Sequence, residues 1–283
     1  FRRVLFRSGQ AYVALSRVTS MNGLQIKGFD EKYIYCNRSV SESLKSMPTF
    51  IDAKEHVQED KCDRTVITMH NIQGLKEHQM DLKFNDDMWK SDFLCLTETW
   101  IDTEEYPDIH VELSEFKCYY QMRSASYDGT SEVTHMLKQQ CHGGVAVFGR
   151  KNRSFSRLVF LVQNVEYIAF QVISHLSYCV VVIYRPASYS LGQFLGNLDV
   201  LLNELHRVSN RCIVMGDFNE DILKHCSRME KFMVDRGYRQ CVSEATTENG
   251  TLIDHVYVRN MDMVDATVMP TYYSYHEAVS LKI

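Results

Sequence analysis

Residues 178 to 184 read YCVVVIY, seven apolar or aromatic residues in succession, four of them β-branched. Side chains alternate between the two faces of a strand, so a strand of this kind must be covered on both sides, by a second sheet on one and by helices on the other. Similar segments recur at 65–70 (TVITMH), 93–97 (FLCLT), 144–149 (GVAVFG), 156–161, 167–173, 212–216, 252–258 (LIDHVYV) and 264–269. Between two of them Leu191, Phe194, Leu195, Leu198, Leu201, Leu202, Leu205 and Val208 keep a spacing of three and four, which predicts an amphipathic helix with one buried face. A second helix is predicted over 228–236. Many strands with few long helices between them predict an α+β, four-layered sandwich in which two packed β-sheets are flanked by helices.

The 283 residues are 45% hydrophobic, enough for a sizeable core. Gln163, Asn164, Glu166 and Gln171 interrupt the richest apolar region, 158–184, so no run approaches the length that spans a bilayer and no membrane partner is expected. Nine dispersed cysteines without a CxxC pair point to a reducing, intracellular compartment. A net charge of −5 excludes nucleic-acid binding by bulk electrostatics and leaves it to bound cations or a local basic patch. The segment RKNRSFSR, 150–157, is such a patch or else a solvated loop.

Four segments follow from the composition. Residues 1–8 (FRRVLFRS) have neither period and carry no signal-peptide pattern, and their LFRS is what a sequencing adapter encodes in one frame; they are set aside as an artefact. Residues 9–36 form a compact apolar island within a first segment, 9–40; 41–63 is a polar and charged linker, and 64–283 the strand-rich domain.

The chemistry lies at the strand ends. IVMGDFNED, 213–221, runs from buried-type residues straight into Asp217, Asn219 and Asp221. MHNIQGL ends its strand in Asn71 and Gln73, LCLTETW in Glu98, and IYRP in Tyr184 and Arg185. TLIDHV sets Asp254 amid apolar residues, and YYSYHEAV brings Ser274 and His276. Carboxylates in such surroundings require a cation or hydrogen bonds. Glu98, Asn71 and Asp217 offer hard oxygens, which suit Mg²⁺ or Mn²⁺ better than zinc. On this reading Asp217 takes a proton from an attacking water, Asn219 holds the phosphate or that water, and His276, kept protonated by Asp254, stabilises charge growing on phosphorus while Tyr184 donates to the same group. Each residue alone has a plainer reading: a turn or helix cap for Asp217-x-Asn219, a satisfied buried acid for Asp254, a core histidine for His276 and strand packing for Tyr184. His255 should face away from Asp254 if their strand is regular.

In order, HNIQGL, LCLTETW, GGVAVF, IYRP, GDFN, GTLIDHVYV and YYSYHEAV resemble the endonuclease/exonuclease/phosphatase superfamily over 64–283, nearest in flavour to the apurinic-like endonuclease domain of non-LTR retrotransposons and Helitron-type elements. The resemblance implies a DNase I-like fold with its site at one end of the sandwich. It implies Asn71 and Glu98 for the metal, Tyr184, Arg185 and Ser274 for the substrate phosphate, Asp217 and Asn219 for nucleophile and phosphate, and Asp254 with His276 as the acid or electrostatic pair. DNA is the implied partner and the nucleus the implied location; the oligomeric state is left open. GQAYVALSRVTSMNGLQIKGF, 9–29, resembles the last motif of Pif1-type helicases, with Arg17 at the γ-phosphate arginine. No GxxxxGK[ST] loop accompanies it, so 9–40 is expected to be a helicase remnant without ATPase activity.

The chain departs from the family at two positions. The last block usually reads Ser-Asp-His and here is Ser274-Tyr275-His276, so one carboxylate is missing and reduced or lost activity is implied. Gln73 stands where apurinic endonucleases often carry Asp. A Mg²⁺-dependent endonuclease is the leading expectation. A phosphomonoesterase of the same fold and an inactive nucleic-acid-binding relic are the alternatives.

Overall fold

The computed structural model describes residues 64–102, 115–224 and 227–283. Arg17 and the segments 1–8, 9–40 and 41–63 lie outside them. The first half of the described chain forms β1 (Val66–Asn71), α1 (Leu75–Phe84), α2 (Asp86–Trp89), β2 (Phe93–Thr97), β3 (Phe116–Gln121), α3 (Arg123–Ser126), α4 (Glu132–Gln139) and β4 (Val145–Arg150). The second forms β5 (Phe155–Leu158), β6 (Glu166–Val172), β7 (Tyr178–Tyr184), α5 (Leu191–Val208), β8 (Cys212–Asp217), α6 (Arg228–Val234), β9 (Arg239–Gln240), β10 (Asp254–Arg259), β11 (Asp265–Met269) and β12 (Ala278–Lys282). Two six-stranded mixed sheets result, with orders β11-β12-β1-β2-β4-β3 and β5-β6-β7-β8-β10-β9.

The strand that constrained the reading shows why the layers stack as they do. Tyr178, Val180, Val182 and Tyr184 point into the core between the sheets, while Cys179, Val181 and Ile183 join a second core under α5. Burial on both faces is what seven consecutive apolar residues require. Phe194, Leu195, Leu198, Leu201, Leu202 and Leu205 form the buried stripe of α5, and Leu75 and Leu82 of α1 close the opposite outer layer over Leu94, Leu96, Ala146 and Phe148. The four-layered α+β sandwich expected from the pattern is therefore the observed fold.

Three strands escaped the pattern, one of them the two-residue β9. β3, FKCYYQ, is a half-exposed edge strand and therefore mixes polar and apolar residues. β12, AVSLK, turns Val279 and Leu281 into the inter-sheet core, but at five residues, with Ser280 and Lys282 between and after them, it is too short to stand out in the sequence. The segment 156–161 is a strand only to Leu158; from there the chain leaves the sheet.

Glycine at 216 is set by close approach. Ile183 and Gly216 are register partners in the parallel β7–β8 pair, Gly216 has φ +147°, and a Cβ there would overlap the Ile183 carbonyl oxygen. The Gly-Asp sequence at the end of β8 thus lets Asp217 sit flush beside Tyr184.

Candidate active site

Strand register assembles the site. Tyr184 pairs with Asp217 across β7–β8, and Asp217 with Asp254 across β8–β10, so the three stand in a row on adjacent strands. Tyr184 belongs to the inter-sheet core. Met215 and Val256 do too, and each lies two residues from its carboxylate, so period two places Asp217 and Asp254 on that same inward face. In the other sheet Asn71 follows Ile67 and Met69 in phase and pairs with Thr97, next to Glu98. All five side chains therefore meet at one end of the sandwich, where the core between the sheets runs out.

Their contacts are short. Tyr184 Oη donates to Glu98 Oε1 at 2.8 Å, and Trp100 Nε1 donates to Glu98 Oε2 at 3.2 Å. Asn71 Nδ2 donates to Asp217 Oδ2 at 2.8 Å and to Glu98 Oε1 at 3.1 Å. Asn219 N donates to Asp217 Oδ1 at 2.8 Å, and its side-chain amide reaches the Arg185 carbonyl at 2.9 Å. His276 Nδ1 lies 2.8 Å from Asp254 Oδ2, while its Nε2 is 4.0 Å from Asp217 Oδ2. One ligand atom from each of Asp217, Asp254 and His276 lies within 4.8 Å of the others, and all three residues are buried.

Electrostatics follow from burial and imbalance. Burial, then the charge of Asp254, pushes Asp217 up to about 8, well above an ordinary carboxylate. Burial opposes the charge on His276, but the adjoining Asp254 carboxylate overcomes it and raises the imidazole to about 9. Asp254 Oδ1 is buried without a hydrogen-bond partner. Two acids share one imidazolium, so the cluster has an acceptor to spare.

The backbone around these groups is strained. Gln73, Glu98, Trp100 and Asn219 have φ of +47°, +50°, +54° and +48°. The left-handed region is sparsely used by such side chains, above all tryptophan, and left-handed residues of this kind gather at functional sites.

Three expected residues take different places. Arg185 is 5% exposed and donates to the carbonyls of Phe218 (2.5 Å), Tyr189 (2.6 Å) and Asn219 (2.7 Å). Its fork of donors braces the loop after β8 and does not face a substrate. Ser274 is buried too, donating to the Asn71 carbonyl at 2.8 Å and accepting from His276 N at 3.2 Å. Asn71 presents its amide nitrogen to the carboxylates while its oxygen accepts from Gln73 N at 3.2 Å. Two carboxylates facing each other need a donor between them, and a half-turn of the amide would exchange its two atoms. The basic segment 150–157 starts at the end of β4 away from Val145 and Glu98, and its arginines engage Glu115, Asp92 and Gln121. It is not part of this site. Asp221 accepts from Leu252 N and ties down its loop, and His255 faces the outer core, stacked 4.9 Å from Phe218.

Sequence reasoning passed over Thr246 and Arg123. Thr246 Oγ1 donates to Asp254 Oδ2 at 2.8 Å and accepts from Asp254 N at 3.1 Å, fixing the carboxylate that holds His276. Neither residue leaves a signature in a single sequence. Glu166 does leave one, a charge in phase with the inward residues of β6.

A model of the endonuclease/exonuclease/phosphatase family matches residues 70–272. The chain belongs to that family. Solved structures with the same fold include the endonuclease domain of TRAS1, a telomere-specific non-LTR retrotransposon, at 12% identity and TM-score 0.59, covering 78% of this chain and 98% of that one. The human Nocturnin catalytic domain is similar at 16% identity and TM-score 0.57, over 77% and 92%. The 3′ phosphatase NExo from Neisseria, bound to a product DNA hairpin, is similar at 16% identity and TM-score 0.55, over 77% and 98%. At these identities the likeness establishes the fold. No curated protein sequence matches the chain. Among the described residues no helix is long and apolar enough to cross a membrane.

Proposed function

We propose that this member of the family is a Mg²⁺- or Mn²⁺-dependent DNA endonuclease of a Helitron-like transposable element. The observation that carries the proposal is the excess of buried carboxylate at the meeting point of the sheets. Asp217 is forced toward its neutral form and Asp254 Oδ1 has no partner, a state that a cation would relieve. The carboxylate oxygens gathered here fit a hard divalent ion. Glu98 would hold that ion together with Asn71, once its amide is turned, and bound there the ion would neutralise phosphate oxygens.

The chain's own residues supply the rest. Asp217 sits near neutrality, where a general base works best, and takes the proton of the attacking water. The Asn219 amide lies beside it to hold that water or the phosphate. Protonated by virtue of Asp254, His276 faces Asp217 with Nε2–H and stabilises the negative charge that develops on phosphorus. Tyr184 holds Glu98 in place and offers a phenol that burial keeps protonated. The helicase-like motif at 9–29 and the resemblance of the strand-end blocks to element-borne nucleases support DNA as substrate and an element origin, with residues 64–283 as the nuclease domain, 9–40 as a helicase remnant and the nucleus as its place of work.

The test is a substrate panel: supercoiled plasmid, abasic duplex, a 3′-phosphorylated oligonucleotide and inositol phosphates, each with Mg²⁺ and with chelator. Nicking of plasmid that leaves 3′-hydroxyl ends is expected. Release of inorganic phosphate without nicking would replace this reading with a phosphomonoesterase.

A further inference from the structure

A second pair of charges lies beneath the site and takes no part in the chemistry just described. Glu166 opens β6 opposite Tyr184 in the antiparallel register, so the two side chains share the inward face. Glu166 is 0% exposed and Arg123 is 5%. One carboxylate oxygen accepts from Arg123 Nε at 2.8 Å and the other from Gly144 N at 2.6 Å. Apolar residues of similar volume often serve stability as well as a buried ion pair. What they lack is the set of directed contacts this pair makes on two sides.

The first contact runs through the guanidinium, which stands over the Tyr184 ring at 5.4 Å and lies so close against Gly143 that a Cβ there would overlap it. The second runs through the glycines. Gly144 O accepts from Thr99 N at 3.3 Å and Gly143 O from Trp100 N at 2.8 Å, which fixes the left-handed loop that begins at Glu98. Both routes end at one hydrogen bond, from Tyr184 Oη to Glu98 Oε1.

We propose that Arg123 and Glu166 are positioning residues of the hydrolysis, the guanidinium setting the Tyr184 ring and the carboxylate setting the Glu98 loop. The proposal rests on the nuclease reading above. Its test uses the full chain carrying Trp89→Phe, which leaves Trp100, bonded to Glu98, as the remaining one of two tryptophans.

In that background two variants are compared. Arg123→Met with Glu166→Gln is a neutral pair that keeps an acceptor for Gly144 N–H, and Arg123→Lys keeps the charge without the planar fork. For each we expect kcat for Mg²⁺-dependent plasmid nicking to fall by about tenfold to a hundredfold, with KM for DNA within about twofold of the parent. A red shift in Trp100 emission accompanies it. Parent-level kcat in a variant that melts cooperatively overturns the proposal, as does a rise in KM with kcat held. Should the neutral pair fail to fold, Arg123→Lys decides by the same criteria. Should the parent itself not nick, the nuclease reading fails separately and Trp100 emission decides the positioning role: a shift in either folded variant supports it and an unchanged spectrum overturns it.

Discussion

Two buried charge clusters share one end of the sandwich and follow opposite rules. Arg123 and Glu166 are balanced, one cation to one anion, with both carboxylate oxygens taken by donors. Asp217, Asp254 and His276 set two anions against one imidazolium and leave Asp254 Oδ1 unpartnered. The balanced pair leaves one guanidinium nitrogen, Arg123 Nη2, without an acceptor, but its anion is fully partnered and it acts by where it holds its neighbours. The unbalanced cluster is held at a cost to the fold, and that cost is what prepares it to receive a cation or a proton.

Neutralising one anion should therefore act in opposite directions on activity and stability in the second cluster. Asp217→Asn is expected to lower plasmid nicking by about 10³-fold while the melting temperature holds or rises, because a buried like-charge contact is removed. Activity assay and thermal denaturation on one preparation check this, and a lower melting temperature together with retained nicking would erase the contrast. In the balanced pair, removal of one partner leaves an uncompensated buried charge. Glu166→Gln or Arg123→Met alone is expected to cost about 3–5 kcal/mol of folding free energy by chemical denaturation. A loss under about 1 kcal/mol would make the clusters alike.

The pH response separates them next. Asp217 and His276 both titrate higher in the folded state than in the unfolded chain, toward about 8 and about 9. Between the unfolded and folded values the native state binds more protons, so their contributions to stability are present at low pH and are lost as pH rises through that window. In chelator the melting temperature is expected to drop by about 5 °C from pH 6.5 to 9, with Asp217→Asn flattening the slope and Mg²⁺ doing so in the wild type. A slope as steep in Asp217→Asn as in the wild type would assign the effect elsewhere, because His276 alone accounts for only part of it. The smallest change expected is from Tyr275→Asp. Tyr275 stands edge-on to His276 with its backbone N–H on Gln73 Oε1 at 2.9 Å. A carboxylate there should raise nicking by roughly threefold to tenfold through its effect on the site's charge. Equal rates would show that the unbalanced cluster is complete without it.

Much of this end of the molecule was legible because strand periodicity and chemistry coincide in it. YCVVVIY announced a strand covered on both faces, and Asn71, Glu98, Tyr184, Asp217 and Asp254 each end or begin such a run, so finding the strands found the residues. Arg185 and Ser274 were misplaced in role because a strand end shows where the backbone stops and does not show which way a long or small polar side chain turns; the carbonyls of residues 218 and 219 and the Asn71 carbonyl captured them. Thr246 and Arg123 were missed because their partners lie 8 and 43 residues away and nothing local marks the contact. Glu166 was read as an interruption of an apolar region. Its phase with Ile168, Phe170 and Val172, all facing the inter-sheet core, was the sign of a buried charge in need of a partner.

The central claim is that the surplus of carboxylate where the two sheets meet is the engine of metal-assisted phosphodiester cleavage. The most direct measurement is nicking of supercoiled plasmid begun by adding Mg²⁺ to a chelated, metal-free sample of the wild-type chain and of Asp217→Asn in parallel. Cleavage that starts with Mg²⁺ in the wild type and not in the variant is the predicted result. Cleavage that proceeds in chelator, or equally in Asp217→Asn, would contradict it.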